Sequence, residues 1–194
     1  AEAPGRHVAS LPPVITPTRG LPKMSHACGQ DAVIAVFGAA GELAKKKTFP
    51  ALFGLFREGH LPAVKIIGYA RLKIEINDFK GRISEHFKLR NAEKSKVDEL
   101  LKLVDYHQGS YDEDEGYQEL NKLITKYEEE KGIEKPQRLF YLALPPSVFT
   151  SVAEKLKKNV YADNGATRVI VEKPFGPDLQ SQSDLQTLLA PLFT

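Results

Sequence analysis

One segment near the start of the folded part of the chain restricts the fold more than any other. The apolar run Ala32-Val-Ile-Ala-Val-Phe-Gly38 is short, continuous and ended by glycine, which is typical of a strand buried on both faces. Small residues follow it, and helical spacing of apolar residues begins at once over Leu43–Glu58. A buried strand, a glycine turn and a helix in this order predict the first βα unit of an α/β domain.

Strands and helices continue to alternate along the chain. The patterns predict strands over Lys65–Arg71, Val104–Tyr111, Arg138–Leu144 and Arg168–Pro174, and helices over Ile76–Lys88, Ser95–Leu103, Glu115–Lys131, Ser147–Lys158 and Ser181–Ala190. Such alternation indicates βαβ units on a mostly parallel sheet, so we expect a doubly wound, Rossmann-like α/β domain over residues 31–194. Pro50 should bend or restart the first helix, Gly59 should end it, and Ser147 should cap the helix that it begins.

The first 30 residues have a different composition. Five prolines fall before Lys23, and the segment lacks an apolar period and has few bulky side chains. Such a segment cannot bury enough surface to offset the entropy cost of ordering, so we expect residues 1–30 to form a disordered tail. A processed transit segment is the alternative.

Charge and cysteine content restrict the partners and the compartment. The net charge of +2 comes from nearly balanced acids and bases, so we expect no nucleic-acid partner. No apolar run approaches the ~18 residues that span a bilayer, so we expect no membrane partner. The single cysteine, Cys28, cannot form an internal disulfide, which favours a reducing compartment, and we expect a cytoplasmic protein.

The turn after the first predicted strand has the spacing of a phosphate-binding loop. Gly38-Ala-Ala-Gly-Glu-Leu-Ala44 fits G-x-x-G-x-x-A, a relative of the G-x-G-x-x-G dinucleotide pattern. Small residues permit a sharp turn, and the first amides of the following helix point back at it, which makes a phosphate site from backbone alone. Lys45, Lys46 or Lys47 could add positive charge. The Gly-Lys-Ser/Thr of a P-loop does not follow, which disfavours ATP or GTP hydrolysis, and a tight turn without a ligand is the alternative.

The end of the second predicted strand indicates which dinucleotide binds. Enzymes that use NAD place an acidic residue here for the ribose hydroxyls. This chain has Gly68-Tyr-Ala-Arg71 instead. A guanidinium can bind a 2′-phosphate through two parallel hydrogen bonds and stack on the adenine. Arg71 therefore predicts NADP, with a solvated arginine as the alternative.

Other chemistry-bearing patterns have simpler explanations. Tyr127 and Lys131 have the Tyr-x-x-x-Lys spacing of short-chain dehydrogenases, but they lie on an acidic predicted helix that reads as a solvated face. The acidic stretch Asp112–Gly116 lacks the spacing of a calcium loop, and His26 with Cys28 is too small a group for zinc. We therefore expect no metal site. The histidines are interpreted as tail, surface or helix residues: His7, His26, His60, His86 and His107.

Three segments together resemble the glucose-6-phosphate dehydrogenase family, and most of all its fungal branch. Gly38-Ala-Ala-Gly-Glu-Leu-Ala-Lys-Lys-Lys47 is similar to that family's glycine loop. Phe140-Tyr-Leu-Ala-Leu-Pro-Pro146 is similar to its fourth-strand motif, and Val171-Glu-Lys-Pro-Phe-Gly176 to its Glu-Lys-Pro-Phe-Gly motif. Gly68-Tyr-Ala-Arg71 agrees as well. The segments follow the family order, and the resemblance covers Val33–Phe193, the whole predicted domain.

The resemblance implies an activity and a set of site residues. It implies an NADP-dependent oxidoreductase that oxidises the C1 hydroxyl of glucose 6-phosphate to 6-phosphogluconolactone, the first oxidative step of the pentose phosphate pathway in glucose metabolism, in a homo-oligomer. Lys173 would bind substrate and also contact the nicotinamide side of the cofactor, and the isomer of the peptide bond before Pro174 would position that lysine. The implied cofactor-binding residues are Gly38, Ala39, Ala40, Gly41, Glu42, Leu43, Ala44, Lys45, Arg71, Phe149 and Lys173.

The chain departs from the family at three site positions and in length. Ala40 replaces a serine, whose lost hydrogen bond to a charged group is worth roughly 1.5–3 kcal/mol. Glu42 replaces an aspartate, and Phe149 stands where some members carry tyrosine. Family members continue into a substrate domain that carries a His-Tyr-Leu-Gly-Lys motif and the catalytic histidine, and neither occurs here. We therefore expect no catalytic residue in this chain and no activity from it alone. A non-catalytic NADP-binding module and a scaffold fragment that binds no nucleotide are the alternatives.

Overall fold

A five-stranded parallel sheet with helices on both faces forms the described part of the protein. The computed structural model describes residues 31–61, 63–89 and 93–171. The strands are β1 Ala32–Phe37, β2 Val64–Ala70, β3 Val104–Gln108, β4 Gln137–Leu142 and β5 Ala166–Val171. The helices are α1 Phe49–Arg57, α2 Ile76–Ser84, α3 Lys94–Lys102, α4 Asp114–Glu130 and α5 Phe149–Asn159. All four neighbouring strand pairs are parallel in the order β3-β2-β1-β4-β5, which confirms the predicted doubly wound α/β fold.

Successive residues of the central strand β1 pack into opposite cores. Val33, Ala35 and Phe37 lie in one core with apolar residues of α4 and α5. Ile34 and Val36 lie in the other with apolar residues of α1, α2 and α3. Side chains alternate between the faces of a strand, so a strand covered on both sides must be apolar at every position. This explains why β1 has a continuous apolar sequence.

The first helix restarts at its proline, as predicted. A π-helical turn covers Ala44–Thr48, and α1 follows with Pro50 in its first turn. Proline has no N–H to donate to the preceding turn, so the hydrogen-bond ladder changes there. The Phe49 amide donates to the Ala44 carbonyl five residues back, which is the π-helical pattern. The helix ends at Arg57, Glu58 is its C-cap residue, and Gly59 follows at φ 78°.

The prediction that Ser147 caps the fifth helix is wrong. A 3₁₀ turn covers Pro146–Val148, and its Val148 amide donates to the Pro145 carbonyl at 3.2 Å. The helix α5 begins only at Phe149, and its N-cap residue, Val148, makes no side-chain capping hydrogen bond. The two consecutive prolines favour a tight turn before the helix, and this turn contains Ser147.

Some predicted boundaries move when tertiary contacts are present. The strand β3 ends at Gln108, three residues before the predicted end at Tyr111, and the Gly109 amide makes the last bond to β2, to the Ala70 carbonyl at 3.0 Å. The helix α2 ends at Ser84. The predicted tail 1–30, the end of the last predicted strand beyond Val171 and the predicted helix Ser181–Ala190 lie outside the described residues. Among the helices that are described, none combines the length and the apolar character needed to cross a membrane.

Candidate functional site

The strand order places the glycine turn at the centre of the carboxyl edge of the sheet. Phe37, the last residue of β1, is paired with Tyr69 of β2 on one side and with Leu142 of β4 on the other. The turn therefore lies between β2 and β4. The chain continues from β1 to β2 and β3 on one side of the sheet and later to β4 and β5 on the other. Open α/β sheets bind their ligands at this switch point, outside the carboxyl ends of the strands.

Gly38 is fixed by its backbone angle and by close packing. Its φ is 79°, a left-handed conformation that other residues adopt at a cost. A Cβ at this position would overlap the main-chain carbonyl oxygen of Ala143. The amides of Gly38 and Ala39 both donate to the Tyr69 carbonyl, at 2.9 and 3.2 Å. These contacts bind the turn to the end of β2 and keep its backbone close to the neighbouring chain.

The helix that follows the turn presents free amides at its first residues. The Gly41 amide donates back to the Gly38 carbonyl at 2.9 Å, and the first helical hydrogen bond runs from Lys45 N–H to Gly41 C=O at 3.1 Å. The amides of Glu42, Leu43 and Ala44 precede that bond, so they have no acceptor within the helix. Such a group of amides, with the positive end of the helix dipole, fits a phosphate or diphosphate.

The predicted loop residues contribute in different ways. Ala39 and Ala44 are fully buried in the core, so only their backbone can face a ligand. Ala40 and Leu43 are half-buried, whereas Gly41 and Glu42 are exposed. A ligand at this turn would therefore be held mainly by backbone, as the spacing predicts.

The charges at the start of this helix are paired with each other. The Glu42 carboxylate contacts the ammonium groups of Lys45 and Lys46, the latter at 2.8 Å. The hydrogen bond from Lys45, followed by that from Lys46, lowers the pKa of Glu42 to about 2. The carboxylate is therefore ionised at neutral pH and competes with any bound phosphate for both lysines.

Arg71 lies at the same edge of the sheet as the glycine turn. It follows β2 directly, its side chain is exposed, and its guanidinium carbon lies 5.4 Å from the centroid of the Tyr111 ring. Its main-chain carbonyl accepts a hydrogen bond from the Gln108 side chain at 3.2 Å. Tyr69, two residues earlier, accepts the Gly38 amide, so Arg71 and the glycine turn follow neighbouring strands at the same edge of the sheet.

Tyr111 is a site residue that the sequence analysis missed. It is 8% exposed and lies beneath Arg71, after the turn that ends β3. Burial raises the pKa of its hydroxyl, while the Arg71 charge and a backbone hydrogen bond from Gly38 act in the opposite direction. The signal was the Gly109-Ser110 pair, which ends the strand and turns the chain back toward the glycine turn.

Two predicted site residues have no demonstrated place beside the glycine turn. Phe149 is 1% exposed and belongs to the core cluster that contains Phe37 and Phe140. Its side chain is packed rather than open, and its role as a cofactor contact stays a prediction. Lys173 lies outside the described residues, as does Pro174, so their roles also stay predictions.

The interpretation of the histidines needs one correction. His107 lies on strand β3 rather than on a helix or in the tail, and its side chain is only 14% exposed. Its Nε2 atom is 3.4 Å from a carboxylate oxygen of Glu119, but burial lowers the pKa of His107. The residue packs beside the Tyr69 ring, with 5.7 Å between the ring centroids. Across the described part of the chain, no group of three or more His, Cys, Asp or Glu residues could hold a metal ion.

Comparison with known proteins agrees with these features. Residues 35–194 match the family described as glucose-6-phosphate dehydrogenase, NAD binding domain. The glucose-6-phosphate 1-dehydrogenase of Kluyveromyces lactis is 56% identical over 168 residues, covering 85% of this chain and 34% of that protein. The corresponding enzyme of Saccharomyces cerevisiae is 57% identical over 168 residues, covering 84% and 33%.

Solved structures show the same relationship. A glucose-6-phosphate dehydrogenase in complex with its substrate glucose 6-phosphate is 56% identical and superposes with a TM-score of 0.81, covering 85% of this chain and 35% of that one. The enzyme from Mycobacterium avium is 31% identical with a TM-score of 0.70 over the same shares. This chain thus spans about a third of the length of these relatives. The chain belongs to the glucose-6-phosphate dehydrogenase family, and the part in hand is its coenzyme-binding domain.

Proposed function

We propose that this chain is the NADP-binding part of a glucose-6-phosphate 1-dehydrogenase. The whole protein would oxidise glucose 6-phosphate at C1 to 6-phosphogluconolactone and reduce NADP to NADPH, the first oxidative step of the pentose phosphate pathway. The observation that carries the proposal is the meeting of a glycine turn with an exposed arginine at the switch point of the sheet, in a chain more than half identical to two enzymes of this name.

The residues at the turn fit a dinucleotide. At Gly38 the turn packs so closely against Ala143 that a side chain would not fit. The amides of Glu42, Leu43 and Ala44 would hold the diphosphate, with Lys45 adding charge if it leaves Glu42. When bound, the nicotinamide accepts a hydride, and the protein binds and orients the reactants.

The choice of NADP over NAD depends on Arg71. Its guanidinium is exposed at the end of β2, where the adenine ribose of a dinucleotide lies in this fold. A planar guanidinium can donate two hydrogen bonds to the 2′-phosphate, and the Tyr111 ring, 5.4 Å from the guanidinium carbon, offers it an aromatic surface. NAD has only hydroxyl groups at this position, so it would lose these contacts.

The substrate, the assembly and the compartment are further parts of this proposal. Lys173 would bind glucose 6-phosphate, which the substrate complex of a 56% identical relative supports as the ligand of the family. The whole protein would be a homo-oligomer. A cytoplasmic location is supported by the single cysteine, Cys28, which favours a reducing compartment.

Calorimetric titration of the chain with NADP and with NAD tests the coenzyme assignment. We expect NADP to bind at least about tenfold more tightly, because each charge-assisted hydrogen bond contributes roughly 1.5–3 kcal/mol. Equal affinities would remove Arg71 from its proposed role. Absence of binding to both nucleotides would favour a scaffold fragment.

A chimera tests the activity. Residues 31–194 would replace the matching third of the Saccharomyces cerevisiae enzyme, and NADPH production would be followed with glucose 6-phosphate. We expect activity from the chimera, a large loss in its Lys173→Ala variant and none from the 194-residue chain alone. A chimera that folds and binds NADP but forms no NADPH would instead support a non-catalytic binding module.

A further inference from the structure

Tyr69 contacts both halves of the candidate site from inside the sheet. Its main-chain carbonyl accepts the amides of Gly38 and Ala39 at 2.9 and 3.2 Å. Its side chain is fully buried, and its hydroxyl donates to the Ser110 carbonyl at 2.7 Å. One residue therefore joins the glycine turn to the β3–α4 loop, which comprises residues 109–113.

A second buried tyrosine holds the next residue of the β3–α4 loop. The Tyr117 hydroxyl donates to the Tyr111 carbonyl at 2.9 Å, and the rings of Tyr117 and Tyr69 lie 5.5 Å apart. Burial raises the pKa of both hydroxyls, so both remain protonated donors at neutral pH. Two consecutive carbonyls of the loop are thus fixed from below by the aromatic core.

The chain leaves space for the Tyr69 hydroxyl at two glycines. A Cβ at Gly109 or at Gly116 would overlap that hydroxyl oxygen. Both residues have negative φ or extended backbone, so their left-handed conformation is not the reason for glycine here. The loop and the first turn of α4 therefore pack closely around the Tyr69 hydroxyl.

The residue that accepts the Tyr69 hydroxyl directly precedes Tyr111. Ser110 immediately precedes Tyr111, so fixing its carbonyl fixes the start of the residue whose ring lies 5.4 Å from the Arg71 guanidinium carbon. An exposed arginine samples many rotamers, and a fixed aromatic surface reduces that number before the ligand arrives. Pre-organisation of this kind lowers the entropy cost of binding.

We propose that the Tyr69 hydroxyl is a positioning group for recognition of the coenzyme 2′-phosphate. It holds Ser110, and thereby places Tyr111 and Arg71 relative to the glycine turn, without touching the ligand itself. The inference rests on the proposed NADP site and concerns its specificity. Loss of the hydroxyl leaves the hydrogen bonds from Gly38 and Ala39 to the main-chain carbonyl in place. We therefore expect the effect to fall on recognition of the 2′-phosphate more than on the diphosphate.

The first test is the Tyr69→Phe variant of this chain, titrated with NADP and with NAD. We expect the dissociation constant for NADP to rise about three- to tenfold, the range for one neutral hydrogen bond, and that for NAD to change by less than about twofold. The ratio of the two constants is the decisive quantity, because general loosening of the domain would weaken both. Tyr127→Phe is the matched control, since Tyr127 is a partly buried tyrosine on α4 that packs against the same core. It should change neither constant.

A second variant displaces the Tyr69 hydroxyl by a change in the residue that packs against it. In Gly116→Ala the added methyl must displace the Tyr69 hydroxyl, whereas its next nearest neighbour, the Gly109 Cα, lies at 3.0 Å. We expect the same selective loss of NADP affinity. The double variant with Tyr69→Phe should lose less than the product of the two single effects, because both changes remove one contact.

The outcomes separate this inference from the proposed function. A wild-type chain without preference for NADP would overturn both. A wild-type preference that persists unchanged in a folded Tyr69→Phe variant would overturn only the positioning role, as would an equal loss for NADP and NAD. Circular dichroism establishes folding, and if Tyr69→Phe does not fold, Gly116→Ala decides by the same ratio.

Discussion

Two arginines at opposite ends of the sheet have opposite environments: one is buried in an ion pair and the other is exposed. At the amino end, Arg138 and Glu128 are 6% and 5% exposed and pair through two bonds, Nε to Oε1 at 2.8 Å and Nη2 to Oε2 at 2.6 Å. The remaining guanidinium nitrogen donates to Asn121 and to the Val160 carbonyl, at 2.8 and 2.7 Å. At the carboxyl end, Arg71 is exposed and its guanidinium lies over an aromatic ring.

The two environments predict that Arg138 contributes to stability and that Arg71 is available to bind a ligand. A buried charge is tolerated only when hydrogen-bond partners satisfy it. The bonds of Arg138 therefore join β4 to α4 and to the chain after α5. An exposed guanidinium keeps its hydration and can exchange water for a phosphate at little cost. We therefore expect changes at the amino end to alter the free energy of unfolding, and side-chain changes at the carboxyl end to alter affinity.

The largest effect is expected from Arg138→Met. The change leaves the Glu128 carboxylate buried without its partner, which costs about 3–5 kcal/mol of unfolding free energy, measured by urea denaturation. Arg168→Met is the matched control, because Arg168 is exposed on β5 and bonds the Gln137 side chain at 3.0 Å. It should cost less than about 1 kcal/mol. Similar losses for the two variants would show that burial of the ion pair adds nothing to the stability.

Gly38→Ala tests whether the backbone at the carboxyl end of the sheet contributes to stability as much as the buried ion pair at the amino end. Strain at φ 79° and overlap with the Ala143 carbonyl should together cost roughly 2–4 kcal/mol of stability, and binding of NADP should fall as well. Gly59→Ala is the control, because Gly59 has φ 78° but nothing within 4 Å of the new Cβ. An equal loss in thermal stability for both would show that packing at Gly38 contributes nothing.

Arg71→Gln should separate affinity from stability. The unfolding free energy should stay within about 0.5 kcal/mol of wild type, as for most surface changes. The dissociation constant for NADP should rise about 10- to 150-fold while that for NAD stays nearly constant, since charged hydrogen bonds contribute roughly 1.5–3 kcal/mol. Lys73→Gln, two residues along on the exposed surface, controls for the loss of one positive charge. A parallel weakening in that control would mean that only net charge matters.

The smallest effect is expected from Glu42→Gln, which should strengthen NADP binding about two- to fivefold by freeing Lys45 and Lys46. The pKa of Glu42 is lowered to about 2, so its ion pairs are fully formed above its ordinary value of 4.5 and are lost as the pH falls toward 2. The gain should therefore be constant between about pH 6 and 8. Glu58→Gln, at the other end of the same helix, should leave binding unchanged. Weaker binding in Glu42→Gln would assign the carboxylate a supporting role.

Local patterns were enough for most of the fold. The continuous apolar run at β1 predicts burial on both faces, and the structure confirms it. Pro50 predicts the restart of the first helix because it lacks a donor, which is a property of the residue itself. The prediction that Ser147 caps a helix was wrong because the neighbouring prolines favour a 3₁₀ turn that includes this residue. Capping depends on where a helix begins, and the sequence alone leaves that boundary open by several residues.

The candidate site also contains residues that local patterns predict and residues that they do not. The glycine turn and Arg71 follow from spacing, because a turn after a strand needs small residues and a guanidinium has a recognisable chemistry. Spacing could not reveal the place of Tyr111 or its support by Tyr69. The hydrogen bond that supports it joins Tyr69 and Ser110, which are 41 residues apart in the sequence. No local period records such a contact.

The order of amino acids alone predicts the alternation of strands and helices, the glycine turn and the cation at the end of β2, because these depend on short-range sterics and side-chain chemistry. Contacts between distant segments place β1 between β2 and β4, the Arg71 guanidinium over the Tyr111 ring, and Arg138 among buried hydrogen-bond acceptors. These outcomes depend on which distant surfaces exclude water together, and that is a property of the packed chain rather than of any segment.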